Sequence, residues 1–92
     1  MKPYKEINNT GDSLIREFDS NIDPSELVWY RDKQNRLVEV LNDTDWLFQY
    51  DNEIPMKLKK GDKFFINKNE YHRVIKGNSN LKIKIEFINP SL

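Results

Sequence analysis

Ninety-two residues amount to one domain, and a chain this short has room only for a thin core. Fifteen Lys and Arg balance fifteen Asp and Glu, so the formal charge is zero; a protein built to neutralise phosphates would be visibly basic. The absence of cysteine excludes disulfides, thiolate chemistry and cysteine-bound zinc.

In chain order, the opening MKPYKEINNTGDS lacks the apolar h-region of a signal peptide, and no apolar run approaches the ~20 residues that span a bilayer. The expectation is a cytoplasmic domain without a nucleic-acid or membrane partner. SLIREF (13–18) reads as one or two helical turns with Asp12 or Ser13 as N-cap. Residues 1–26 then form an N-terminal segment that packs on the rest.

From Leu27 onward the apolar residues recur with period two. LVEVL (37–41), WLFQY (46–50) and MKLKK (56–60) each read as a strand. LKIKIEF (81–87) does so most cleanly, with Leu81, Ile83, Ile85 and Phe87 on one face and Lys82, Lys84 and Glu86 on the other. Pro55 suggests an edge position or a bulge, and Pro90 marks the end of the last strand. Turn residues cluster at 32–35, 42–45, 51–53, 60–62, 67–70 and 77–80. Short strands punctuated in this way predict an all-β fold, an antiparallel sandwich or small barrel, over 27–92.

GDKFFINKNEYHRVIKG (61–77) holds the single histidine of the chain. It resembles the second motif of the cupins, G-x-x-x-x-x-P-x-G-x-x-H. Gly61, the apolar Phe64, Phe65 and Ile66, and His72 match in register, while Asn67 and Asn69 stand where the family has Pro and Gly. Asn also tolerates tight turns and positive φ. WYRDKQNRLVEVLND (29–43) is similar to the first cupin motif, H-x-H, three or four residues, E, six residues, G. Tyr30 and Asp32 take its two His positions, Arg36 its Glu position and Asp43 its Gly position.

The resemblance covers residues 27–88 and implies the cupin barrel, the jelly roll or double-stranded β-helix. It also implies a metal held by His, His, Glu and His side chains that project into the barrel. The spacing suits this, because residues i and i+2 of a strand point to the same side. Here the implied ligands are His72, Asp32 and Tyr30, a set that resembles the facial triad of non-heme iron oxygenases with Tyr replacing one His. Iron, nickel, manganese or zinc is the implied cofactor. Arg36 cannot ligate a metal, being permanently cationic and without an acceptor.

The same residues also make a metal-free pocket. Arg36 beside Asp32 and His72 gives a polar floor suited to a carboxylate or phosphate. Trp29, Trp46, Phe48, Tyr50, Phe64 and Phe65 supply aromatic surface, and Gln49 and Arg73 are further candidate contacts. Each residue also has a plainer reading. His72 can be a hydrogen-bonded structural histidine, Asp32 a turn cap, and Tyr30 and the tryptophans core aromatics. Lys57, Lys59, Lys60 and Lys63 read as a solvated face.

Three functions stay open. One is a small cupin-like protein that binds a small polar or anionic molecule through Tyr30, Asp32, Arg36, Gln49, His72 and Arg73. Another is a metal-dependent enzyme such as a dioxygenase or isomerase, with His72 as the group suited to acid–base catalysis near neutrality. The third is a homodimeric interaction module with a filled barrel, associating through an exposed edge near 81–88 or through the N-terminal segment.

Overall fold

The computed structural model describes residues 3–88; Pro90, expected to end the last strand, lies outside them. Eight strands run β1 (Lys5–Glu6), β2 (Ser13–Phe18), β3 (Asn35–Val40), β4 (Leu47–Tyr50), β5 (Met56–Lys57), β6 (Lys63–Ile66), β7 (His72–Ile75) and β8 (Leu81–Ile88), with one 3-10 turn at Pro24–Glu26. They form a five-stranded sheet in the order β1-β2-β8-β3-β6 and a three-stranded sheet in the order β5-β4-β7. Every named pairing is antiparallel. Among the described residues, no helix is long and apolar enough to cross a membrane.

The helical turn expected over 13–18 is instead β2, paired residue for residue with β8 from Ser13↔Glu86 to Phe18↔Leu81. An isolated helix of six residues is too short to be stable, whereas pairing with β8 satisfies its backbone and buries Leu14 and Phe18 together. The segment before residue 27 thus supplies two strands of the larger sheet.

β8 is the middle strand of that sheet, between β2 and β3, and not the edge expected for an interaction surface. Its alternation serves the core: Leu81, Ile83 and Ile85 are buried. Edges fall to β1, β6, β5 and β7. Pro55 directly precedes edge strand β5, where a missing N–H costs no ladder bond.

The core lies between the sheets. Leu14, Phe18, Val38, Val40, Ile66, Leu81, Ile83 and Ile85 come from the larger one; Trp46, Phe48 and Leu58 face them. Trp46 is wholly buried, packs on Phe18 with ring centroids 5.5 Å apart, and donates its indole N–H to the Ser79 carbonyl. That bond makes burial of the indole affordable. Lys57, Lys59, Lys60 and Lys63 are all exposed, a solvated face as expected.

Candidate functional site

Strand parity aims the polar residues. In β3, Val38 and Val40 are buried, so Arg36 shares their inward face, opposite Ile66 on β6 and Phe87 on β8. In the facing sheet, Tyr50 registers with His72 and Phe48 with Val74. His72 therefore points inward beside Phe48, its ring stacked on the phenyl at 5.7 Å and 22°.

Asp32 lies in the turn before β3, yet it is only 5% exposed. Backbone bonds hold it there. Tyr30 and His72 exchange N–H···O bonds of 2.9 Å, and Asn69 N–H donates to the Asp32 carbonyl at 2.6 Å. Asn69, at the cupin motif's glycine position, has φ of 63°, the left-handed conformation that Asn adopts more readily than most residues. Lys68 N–H donates to Asn35 Oδ1 at 2.8 Å, fastening the 67–70 turn to the start of β3.

Asp32 is the hub. Arg36 Nη2 lies 3.0 Å from its Oδ1, and His72 Nε2 lies 3.6 Å from its Oδ2. Oδ2 is buried and has no hydrogen-bond partner. His72 Nδ1 is 2.9 Å from the Glu70 carbonyl; a carbonyl only accepts, so Nδ1 carries the hydrogen. Nε2 is the nitrogen turned toward the carboxylate. Burial pulls the Arg36 guanidinium below its ordinary pKa; Asp32 opposes this and Arg16 adds to it.

A cavity of about 440 Å³ opens between the sheets over this cluster, within the range of about 300–1,000 Å³ typical of small-molecule sites. Its wall is mainly apolar, with Val38, Phe48, Leu58, Phe64, Ile83 and Ile85 among the lining residues. Arg36, His72 and Tyr30 also line it, while Asp32 stands behind them. Tyr30 is 57% exposed and edge-on to His72 at 6.3 Å, so it is a rim residue and not the core aromatic of the plainer reading.

Gln49 and Arg73 are not drawn into the cluster. They register opposite one another on the other face of β4 and β7, and Arg73 Nε donates to Gln49 Oε1 at 2.9 Å. The Arg73 guanidinium lies 4.6 Å over the Trp29 ring, so Arg73 reaches the cavity only with its head already engaged. Of the aromatics expected in the wall, Phe48 and Phe64 are there. Trp29 and Phe65 are exposed and Trp46 is core.

Sequence reasoning missed Arg16. It lines the cavity from β2, its side chain only 15% exposed. The signal was present: in S-L-I-R-E-F, Arg16 shares the parity of the buried Leu14 and Phe18.

The residues do not fit a resident metal. Among the described residues no three of His, Cys, Asp and Glu gather, and Arg36 holds its fixed cation against one of the two carboxylate oxygens.

No family model and no curated relative matches the chain. Solved structures do. A cupin domain from Bordetella pertussis superposes with a TM-score of 0.63 over 97% of this chain and 98% of its own, at 14% identity. A cupin-2 domain-containing protein from Shewanella frigidimarina gives 0.60 over 89% and 76%, at 16% identity. HppE in its Fe(II) form gives 0.65 over 92% of this chain and 48% of that one, at 16% identity. The architecture is therefore that of the cupins. This chain is a small cupin-fold domain, and identities this low carry the fold and nothing of the chemistry.

Proposed function

We propose that this protein binds a small anionic molecule in the cavity between its sheets, with Arg36 as the partner of the anionic group and Asp32 and His72 holding that arginine in place. The observation that carries the reading is Arg36 Nε, a buried donor in the cavity wall without a hydrogen-bond partner. Buried donors are nearly always satisfied, and a guanidinium offers its donors as a fork matched to carboxylate or phosphate. Asp32 takes one arm and leaves the rest to a ligand.

The metal-dependent reading has less support. A cation would have to share Asp32 with Arg36, and both nitrogens of His72 already face groups of the protein. In the binding reading His72 is a wall and a brace for Asp32, and Tyr30 is a rim residue.

A thermal-shift panel of carboxylates, phosphorylated metabolites and neutral sugars tests this. A ligand at a hundredfold its Kd stabilises by about 2.7 kcal/mol, about 10–20 °C of Tm for a domain of this size. The stabilising compounds should be anions, and the shift should vanish in Asp32→Asn/Arg36→Gln, which removes both charges of the pair together. Stabilisation by neutral sugars alone, or a shift that persists in that variant, would defeat the proposal.

A further inference from the structure

Arg16 is a second cation aimed at the same space. It sits opposite Ile83, on the strand flanking β8 from the side away from Arg36, which sits opposite Phe87. Like Arg36, it has a buried Nε with no hydrogen-bond partner. Among the described residues each guanidinium faces an acidic side chain that does not line the cavity: Glu6 lies 3.6 Å from Arg16 and Asp32 lies 3.0 Å from Arg36. Each also rests on a ring, Arg16 at 4.1 Å over Tyr4 and Arg36 at 5.2 Å over Phe87, which fixes the direction of its fork.

The charges of Arg16 and Arg36 are thus each faced by a carboxylate, Arg73 is engaged by Gln49 and Trp29, and Arg16 and Arg36 each line the cavity with a buried Nε that lacks a hydrogen-bond partner. This combination suits one negative charge rich in acceptor atoms and poorly suits a dianion. Glu26, exposed at the mouth, is the one carboxylate among the described lining residues, and it also disfavours higher charge. Apart from the arginines, His72, the two tyrosines Tyr4 and Tyr30, and Glu26, the wall is hydrocarbon, with Val38, Phe48, Leu58, Val74, Ile83 and Ile85 forming most of it. A sugar phosphate would leave its hydroxyls there without partners.

We infer that the ligand is a monocarboxylate with an apolar body, its carboxylate shared between Arg16 and Arg36 and its hydrocarbon against the aliphatic and aromatic wall. This rests on the anion-binding reading above and adds the class of molecule and a second binding residue.

Calorimetric titration with butyrate, octanoate, octan-1-ol and glucose 6-phosphate tests it. Octanoate should bind about 250-fold more tightly than butyrate, because each of its four extra methylenes contributes about fourfold when buried. Arg16→Gln should weaken octanoate at least tenfold while leaving octan-1-ol within about twofold, and Arg16→Lys should restore part of the loss. Amide NMR spectra of each variant establish that it is folded, and the octanol titration confirms that the cavity is intact. Arg36-dependent binding of glucose 6-phosphate with none of octanoate would leave the anion site standing and overturn the monocarboxylate. Octanoate binding unchanged in Arg16→Gln would overturn the role of Arg16. Failure of every anion to bind in an Arg36-dependent way would overturn both readings.

Discussion

Arg36 Nη2 lies 3.0 Å from Asp32 Oδ1, with the two side chains 11% and 3% exposed. An arginine so placed turns what the cupin motif would make a metal-ligand cluster into a buried charge pair. It also makes the stability of the domain depend on a pair that must be kept or removed as a unit.

Removing one partner should be costly. Arg36→Met leaves the Asp32 carboxylate buried without its cation, and the expected loss is about 3–5 kcal/mol. Asp32→Asn/Arg36→Met should recover more than half of that, because no charge is then stranded. Urea midpoints at unchanged m-value measure both. A double variant no more stable than Arg36→Met would show that the pair is not the source of the loss.

A different carboxylate contributes to stability on the acid side. Asp45 accepts from the backbone N–H groups of Asn78 and Ser79 and from the Ser79 hydroxyl, and those bonds lower its pKa from 3.8 to about 2. Because the folded value lies below the unfolded one, its contribution is complete above about pH 4 and fades as the pH falls through 2. Asp45→Asn should therefore have a lower Tm than the parent at pH 6, and the gap should close toward pH 2. A gap independent of pH would exclude the carboxylate as its cause.

Gly77 is required by the same contact. A Cβ there would meet Asp45 Oδ1 at 2.2 Å and the Asp45 backbone carbonyl carbon at 2.8 Å. The second of these is backbone and cannot swing away. Gly77→Ala should cost about 1–3 kcal/mol, the usual penalty of forced overpacking. Combined with Asp45→Ala the two losses should sum to less than their separate values, since both disrupt one contact. Full additivity in chemical denaturation would argue against the clash.

Metal affinity should appear only when Arg36 is replaced. Tyr30→His alone places a second imidazole near His72 but leaves the guanidinium on Asp32. Tyr30→His/Arg36→Glu presents two imidazoles and two carboxylates, and should bind Zn(II) or Ni(II) at least tenfold more tightly than either single variant in competition titrations. Equal affinity in Tyr30→His would mean that Arg36 does not occupy the metal's place.

Legibility differed from segment to segment. LKIKIEF (81–87) alternates without interruption, and only one pleat buries Leu81, Ile83 and Ile85 together, so its inward face was readable. SLIREF (13–18) was not, because Leu14 and Phe18 are four apart, which satisfies one helical face and one strand face equally. Arg16 was lost with it. The parity of Gln49 and Arg73 was equally hidden, since it depends on which face of β4 receives Phe48.

By itself the sequence determined a short all-β domain, the inward faces of its most regular strands, and a turn before His72 built on Asn instead of Pro and Gly. Those follow from local rules: period-two alternation, turn chemistry and the φ that Asn tolerates. The motif resemblance grouped Asp32, Arg36 and His72; the tertiary structure decided that Arg36 pairs with Asp32 Oδ1, that His72 Nε2 stands 3.6 Å from Oδ2, and that Arg16 lines the same cavity from β2. The reason is that His72 and Arg16 reach this local pair from segments distant in sequence, and which strands come together is set by burial of the whole core, not by any one segment.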